Sequence, residues 1–586
     1  MGKLPFILCI FLLLQMCVWG EDGQEPPTHH IIRHTHNHTL GVFEKAGVVT
    51  NSEICTNIAL DILADDGSAV DAAIAALLCE GITNPQSMGI GGGFLMSIYD
   101  AATQKVDVLN AREVAPLAAY PEMFSKLPKT TDNKDIAIGG LSVAVPGELM
   151  GYWEAHKRYG KISWYDLFRP AIDLAATGQR VTPYTADMIR KIQEDISKST
   201  SMKVLLTNPE TKNLYKVGEI MQRPTLADTL EVIAQNGPNA LYDGCLTDDF
   251  VQDIRDNGGI ITREDLRNYK ASWEKPVEHF IGNYAIYSAG IPGSGQLLMY
   301  VLDVMASKLC NVDASFWHRF VETWKFAFGI RAGYSGGEMS GADKPDSKVD
   351  PALVEQILTK IEDTCTSNDP KDYLLDNPEV PIAEDHGTSH ICIYAPNGDA
   401  VSVTSTINLS FGALFVSETT GIILNNEMID FSIPNHYDFK NSQSANQIIP
   451  KHYPMSTMLP TIVLDLRKGS VRLVIGAAGG FKILSATSLV ILQNLYMGTP
   501  LKTAIATRRL HHQLNPMVVE FEEGFDEKIL MKLQKIGHVM QPLDSLERTN
   551  SSSSMATYSC VNGISIVNDL IFPVGDQRRR TYAGGL

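Results

Sequence analysis

Between Glu384 and Gly412 the chain reads EDHGTSHICIYAPNGDAVSVTSTINLSFG, and Thr388 and Thr406 are spaced so that they could share one reaction. The segment Tyr394-Ala395-Pro396-Asn397-Gly398-Asp399 has the chemistry of a tight turn. Pro presets the first central position, Asn suits the second, and Gly takes the left-handed place of a following bulge. With Pro396 to Gly398 as a three-residue loop, Ala395 pairs with Asp399. Thr388 then faces Thr406 across the strands, with Asn408 on the next diagonal; a two-residue turn at Asn397-Gly398 would shift this by one. A neutral Thr hydroxyl is a poor nucleophile without a base in reach. His390 can share the Thr388 face, but a strand-face histidine is more often structural. Cutting the Gly387–Thr388 bond would supply a base, because a free α-amine titrates at about 7.7–8.0. Thr406 would then orient the hydroxyl. On spacing alone the segment reads first as an ordinary exposed hairpin.

The chain that must position these residues has 586 of them, 44% hydrophobic and 20% charged, enough for a sizeable core in one large or several smaller units. A formal net charge of −18 argues against a nucleic-acid partner, which would need clustered Lys and Arg. The one basic cluster, Arg578-Arg579-Arg580, reads as a solvated turn or tail. Residues 1–20 form a targeting element: Lys3 precedes an apolar run from Leu4 to Val18. The run is short for a span of ~20 apolar residues, so a cleaved signal peptide is favoured over an uncleaved signal anchor. Either puts the bulk of the chain outside the cytoplasm, secreted or anchored at the cell surface. Residues 21–41 read as a flexible stem whose His29, His30, His34, His36 and His38 fit no single metal geometry.

Seven cysteines remain beyond the leader, with no CxxC pair, so one or two bridges are expected and no metal or redox site. Sequons at Asn37 and Asn550 mark exposed glycan sites, while Asn408, also in a sequon, is expected to be buried and unmodified. Ser68 is a candidate N-cap for the helix in DGSAVDAAIAALLCEGI. NPQSMGIGGG follows as a loop, and FLMSIYD and VDVLNAREV as strands. Helices dominate the middle: PGELMGYWEAHKRYG, YDLFRPAIDLAATG, ADTLEVIAQNG and FWHRFVETWKFAFGIRAGY. Residues 336–384 read as an exposed polar connector. Beyond it come strands in ICIYAP, AVSVTST, TGIILNN, TIVLDL, VRLVIGAAGG and GISIVND. The Gly-rich SMGIGGG is not a nucleotide loop, because it follows a helix and Phe94 stands where the last Gly should be.

In order along the chain, DGSAVDAAIAALLCEGITNPQSMGIGGG, LNAREVAP, LSVAVPGELMGYWEAHKRYG, DHGTSHICIYAPNGDAVSVTSTIN, TGIILNNEMIDFS, PMSTMLPTIV, VIGAAGG and RLHHQLNP resemble the gamma-glutamyltransferases (gamma-glutamyl transpeptidases). Some fragments are generic alone; the ordered set is specific. The resemblance implies an α+β fold, the four-layer αββα sandwich of the N-terminal-nucleophile hydrolases. It implies a precursor that cuts itself between Gly387 and Thr388 into a large subunit, residues 42–387, and a small catalytic one, 388–586, which stay together as a heterodimer. Thr388 would attack the γ-carbonyl of glutathione or a related γ-glutamyl compound, and the acyl group would pass to water, an amino acid or a dipeptide.

The same resemblance implies the site residues. Arg112 would clamp the substrate α-carboxylate, with hydroxyl donors from Ser456 and Thr457. Glu427 and Asp430, with Asn408 beside them, would hold the α-ammonium. Gly479 and Gly480 would turn backbone N–H groups to the oxyanion. A disulfide between Cys55 and Cys79 follows from mammalian members, and no cofactor or metal is implied. The chain departs from the family at Thr457, where mammalian members favour Ser, and at Arg508, which replaces a Pro. His386 and the YSGGEMSGADK stretch also differ. The rival to an active enzyme is a catalytically inert secreted relative serving as a binding or signalling protein; a related amidase with another acyl substrate comes last, because it would leave the Arg112 and acidic-pair charges unpaired.

Overall fold

A computed structural model describes residues 41–127, 134–307, 312–339, 349–374, 387–434, 445–543 and 558–586. The leader, most of the stem, Asn37 and Asn550 lie outside them. The strands that build the core are β1 (Gly47–Thr50), β2 (Gly93–Asp100), β3 (Lys105–Ala111), β4 (Ser272–Glu274), β5 (Val277–Ile281), β6 (Tyr284–Ser288), β7 (Gly387–Tyr394), β8 (Ala400–Asn408), β9 (Thr461–Asp465), β10 (Ser470–Ala478), β11 (Cys560–Val567), β12 (Leu570–Val574) and β13 (Tyr582–Gly585). One sheet has the order β13-β1-β7-β8-β2-β3-β4 and the other β12-β11-β10-β9-β6-β5.

Their inner faces meet through Val49, Tyr99, Cys392, Ile462, Val474 and Ile564. Helices cover the outer faces. On the first sheet these include α1 (Glu53–Ala64), α2 (Ala69–Thr83), α3 (Glu148–Tyr159), α4 (Trp164–Thr177) and α5 (Pro224–Asn236). On the second they include α6 (Gly295–Ala306), α7 (Ala314–Arg331), α8 (Pro351–Lys360), α9 (Lys482–Ile491) and α10 (Glu527–Ile536). The result is the expected four-layer αββα sandwich. Each sheet contains strands from both sides of the Gly387–Thr388 bond, so a cut there would leave the two pieces hydrogen-bonded and sharing both cores.

Local chemistry accounts for several elements. Ser68 caps α2 in a capping box: its Oγ accepts from the Asp71 N–H at 3.0 Å, and its N–H donates to Asp71 Oδ2 at 2.9 Å. A disulfide joins Cys55 in α1 to Cys79 in α2, as expected, and Cys245 is also disulfide-bonded. The β7–β8 hairpin has the three-residue-loop register, with Tyr394 opposite Ala400 and Thr388 opposite Thr406, and Gly398 turns at φ 89°. Both strands are buried on both faces. Ile391, Ile393, Val401 and Val403 face the helices. Thr388, His390 and Cys392 face the second sheet, where His390 Nδ1 lies 2.8 Å from Thr404 Oγ1 and burial pushes its pKa down to about 3. That histidine is structural.

Three expectations fail. TGIILNN is not a strand; Thr420–Asn426 runs irregularly over the Gly91-Gly92 step, with Asn425 Nδ2 donating to the Gly91 and Ala144 carbonyls at 2.8 and 2.9 Å. Its backbone pairs only in part, with the Ser417 N–H donating to the Ile422 carbonyl and the Ala413 N–H to the Leu424 carbonyl, both at 2.9 Å. The 336–384 connector contains α8, capped by Asp350, whose carboxylate accepts from the Ala352 N–H at 2.9 Å. Arg578-Arg579-Arg580 is not a solvated tail: β13 pairs with β1 and draws the turn before it into the protein, so that Arg579 is 4% exposed.

Gly476 on β10 packs against the His390 ring so closely that an added Cβ would overlap it. Gly476→Ala should therefore destabilise the protein by about 1–3 kcal/mol in thermal or denaturant unfolding. His390→Ala in the same chain should recover part of the loss; strictly additive losses would show that this contact is not the cause.

Candidate active site

Thr388 sits second in β7, at the mouth of the space between the sheets, and is 2% exposed in the uncut chain. Its Oγ1 donates to Thr406 Oγ1 at 3.3 Å. Thr406 Oγ1 in turn donates a short hydrogen bond to the Gly387 carbonyl oxygen and accepts from the Asn408 N–H at 2.8 Å. One hydroxyl thus touches the hydroxyl of Thr388 and the carbonyl of the bond that would be cut. The strand pairing is bulged between Thr406 and Asn408, and Asn408 has φ 71°. A left-handed Asn is tolerated where a larger residue would be strained. This turn carries the Asn408 amide out of the ladder, where Nδ2 donates to Asp430 Oδ1 at 3.0 Å and to the Asn426 carbonyl at 3.2 Å.

Asp430 leads to Arg112, one residue beyond β3, whose carbonyl accepts from the Tyr269 hydroxyl at 2.8 Å. Arg112 Nη2 meets Asp430 Oδ2 at 2.5 Å and Nη1 lies 2.7 Å from Glu427 Oε2. The Glu427 contact is an ion pair that lacks the alignment of a hydrogen bond. Glu113 adds a third carboxylate, 3.5 Å from Nη1. Glu113 Oε1, Glu427 Oε1 and Asn408 Oδ1 are buried acceptors with no donor among the described residues. The group sits near PMSTM, since Arg112 Nε and Nη2 approach the Pro454 and Met455 carbonyls at 3.4 and 3.5 Å.

Ser456 Oγ accepts from the Met458 N–H at 3.2 Å, and Thr457 Oγ1 donates to the Gly480 carbonyl at 2.9 Å. Gly479 and Gly480, at φ 121° and 60°, turn the chain from β10 into α9. Among the described residues no hydrogen bond ties either of them to Thr388. Arg509 is buried and paired with Asp576 at 2.7 Å, while the departing Arg508 is exposed.

The family model described as gamma-glutamyltranspeptidase matches residues 55–586. The chain belongs to the gamma-glutamyltranspeptidase family. It is 40% identical to scoloptoxin SSD14 of Scolopendra dehaani over 86% of this chain and 87% of that protein. It is 32% identical to glutathione hydrolase 5 proenzyme of Homo sapiens over 93% of each. Among solved structures, a cephalosporin acylase from Bacillus halodurans superposes with a TM-score of 0.80 at 21% identity, over 96% of this chain and 99% of that one, which shows the shared N-terminal-nucleophile hydrolase fold.

Within this member of the family, two polar networks stand directly behind the threonines. Ser405 Oγ approaches both Glu148 oxygens, at 2.8 and 2.9 Å, and the Tyr152 hydroxyl donates to the same carboxylate at 2.5 Å. Ser389 Oγ donates to buried Glu80 at 3.0 Å. Neither network has a local sequence signal, because its members lie 257 and 309 positions apart. Glu113 was in view within NAREVAP, adjacent to the arginine it joins, but the resemblance assigned it no role.

Three carboxylates around one guanidinium leave surplus negative charge in a dry site. Burial, only partly offset by Arg112, raises Glu113 to about 8, and burial likewise raises Glu427 well above the carboxylate range and Glu148 to about 8. Burial alone would lower the Arg112 pKa; Glu427, Glu113 and Asp430 more than offset it. An acid whose folded pKa is raised binds its proton more tightly when folded. Its contribution to stability is complete below the unfolded value near 4.5 and is lost as the pH climbs to about 8. The uncut, ligand-free protein should therefore lose stability across that window, and Glu113→Gln should shrink the loss by roughly a third in melts run from pH 4.5 to 8, Glu427, Glu148 and Glu80 carrying the rest. An unchanged slope would exclude Glu113 as a source.

Proposed function

We propose that this chain is an exported, self-processing γ-glutamyl enzyme that uses Thr388 as an N-terminal nucleophile. The observation that carries the reading is the buried chain of contacts from Thr388 through Thr406, Asn408 and Asp430 to Arg112. It joins a nucleophile pair to a site with both a buried cation and buried unpartnered acceptors. A free α-amino-acid head group, as on a γ-glutamyl compound, complements both: its carboxylate matches Arg112, and its ammonium offers donors to Glu427, Asp430 and Asn408. An acyl group without that head would leave these charges to one another.

In processing, Thr388 Oγ1 attacks the Gly387 carbonyl carbon while Thr406 donates to the carbonyl oxygen. The peptide C–N bond breaks, the nitrogen takes up the proton as the new α-amine, and water hydrolyses the ester. In turnover, that amine accepts the Thr388 hydroxyl proton as Oγ1 attacks the γ-carbonyl. Collapse breaks the γ-amide bond, and the departing amine leaves with the proton. Water or an acceptor amine then takes the acyl group from Thr388. Gly479 and Gly480 N–H groups would stabilise the oxyanion, with Ser456 and Thr457 assisting at the carboxylate. The relatives named glutathione hydrolase favour glutathione as a donor. The apolar leader favours export, by secretion or signal anchoring.

The likeness to a protein named a scoloptoxin favours a second reading, a secreted relative whose role does not depend on turnover. The two part at Thr388. Intact mass and N-terminal sequencing of the exported protein should give two chains, the smaller beginning Thr-Ser-His, with a single chain in Thr388→Ala. The processed protein should release glutamate from glutathione, and Arg112→Met should raise KM by about tenfold or more, as expected when a charged clamp worth a few kcal/mol is lost. One uncut chain from a folded wild type would leave the second reading standing.

A further inference from the structure

Behind the threonine pair stands a second cross-strand pair. Ser389 lies opposite Ser405, one step along the β7–β8 ladder, and each meets a buried carboxylate in the helical layer. The two acids differ. Glu148 meets the hydroxyls of Tyr152 and Ser405, and burial raises it to about 8, so it carries little charge near neutral pH. Glu80, in α2, receives four donors. The Asn51 N–H reaches Oε1 at 2.5 Å, while Oε2 accepts from the Asn51 and Asn84 amides at 3.2 and 2.9 Å and from the Ser389 hydroxyl at 3.0 Å. Such a convergence of donors suits an ionised carboxylate and opposes the rise that burial imposes on its pKa. The Asn51 amide also donates to Ser389 Oγ, and the Cys55–Cys79 disulfide ties the helix after Asn51 to the helix that carries Glu80. Yet Glu80 is 0% exposed and makes no ion pair among the described residues.

A buried carboxylate without a cation is costly, and cutting the Gly387–Thr388 bond would create a cation beside it. Ser389 is one residue from the new α-amine, about 3.5 Å of extended chain, which puts the Glu80 carboxylate roughly 8 Å from that amine. The other charged groups at this end of β7 are few. Arg579 Nη1 donates to the Thr388 carbonyl at 3.2 Å, and beyond Asn408 lies Asp430, grouped with Glu427 and Glu113 on Arg112. β1 and β8 bring none, and burial keeps His390 neutral. Burial and Arg579 both push the new amine toward its neutral, weakly basic form. Glu80 pushes the other way. An amine that takes the Thr388 hydroxyl proton and returns it to the leaving group works best with a pKa near the ambient pH.

We propose that Glu80 is a positioning residue for the N-terminal base: held ionised by Asn51 and Asn84 and acting through Ser389, it anchors the new end of β7 and keeps the Thr388 amine basic enough to take the hydroxyl proton. This rests on the self-processing γ-glutamyl reading above, and its test separates the two. Trace acetylation of the Thr388 α-amine in processed protein, followed across pH by mass spectrometry of the N-terminal peptide, reads the amine directly. Glu80→Gln should lower its pKa by about one unit. The acid limb of kcat/KM for γ-glutamyl-p-nitroanilide should move down in step, a change that lost packing alone would not produce.

Acetylation needs only the cut chain, not turnover. A cut chain whose amine is unmoved by Glu80→Gln would overturn the proposal alone, and a folded wild type that is never cut would overturn it together with the reading on which it rests. A shifted amine in a protein that turns over no γ-glutamyl donor would leave the pairing with Glu80 standing and remove the catalytic reading. Should Glu80→Gln fail to process, the wild-type amine decides. A pKa at or above the ordinary value of about 7.7–8.0, against the pull of burial and Arg579, supports the assignment, and a lower one overturns it.

Discussion

The pairing of β7 with β8 is the constraint on which the rest of this molecule turns. Side chains alternate along a strand, so a slip of one residue would move Thr388 from the inter-sheet face to the helix face and separate it from Thr406. The register is held from both sides. The Pro396–Gly398 loop sets it at one end, and the two cores hold it along its length: isoleucines and valines point into the helical layer, while His390, Thr404 and Cys392 point into the space between the sheets. Because both faces are buried, a slipped register would expose or strand polar groups in a dry core. The same ladder ends in the bulge that aims Asn408 at the acidic site.

Charge in that site is balanced with little margin. Arg112 is fully buried, and an unpaired charge in such a place is strongly destabilising, by about 3–5 kcal/mol when a partner is removed. In the uncut chain its partners are Glu427, Asp430 and Glu113. Glu427 and Asp430 are also the groups proposed to hold the ammonium of an amino-acid head group, so the empty site satisfies Arg112 with residues proposed to bind substrate. A zwitterionic ligand would replace one internal pairing by two external ones without a net change of charge. That property suits a site that must stay folded when empty and still select a ligand carrying both charges.

Glycine governs how closely the layers approach this centre. Gly92 lies against the Thr406 backbone and Gly476 against His390, positions where a Cβ would overlap its neighbour. The run SMGIGGG thus acts as a spacer that lets the loop at Ile422 and Ile423 and the end of β8 share one small volume. Both proposed subunits contribute to the centre: Arg112 from the first, the threonines, Asn408 and the acidic pair from the second. Neither piece contains a complete site, which agrees with both sheets drawing strands from both pieces.

What the sequence by itself determined is what short-range chemistry determines: the capping box at Ser68, the turn at Pro396–Gly398 and hence the opposition of Thr388 and Thr406, the main helices, and the ordered motifs that mark the family. Arg112, Asn408, Glu427 and Asp430 could be singled out only through those motifs, since Arg112 and Asp430 are 318 positions apart and nothing local brings them together. The tertiary structure alone decided three things. TGIILNN gave up its strand because its backbone N–H groups go to the separate Phe415, Gly91 and Ile407 carbonyls rather than to one neighbouring strand. Glu113 joined the charged site because the chain path of β3 turns it inward. Arg579 became a buried neighbour of Thr388 because β13 closes on β1, a pairing of the two ends of the described chain that no local pattern encodes. Turns and caps are settled among neighbours in sequence, whereas burial and ion pairing are settled by which distant surfaces the packed core brings into contact.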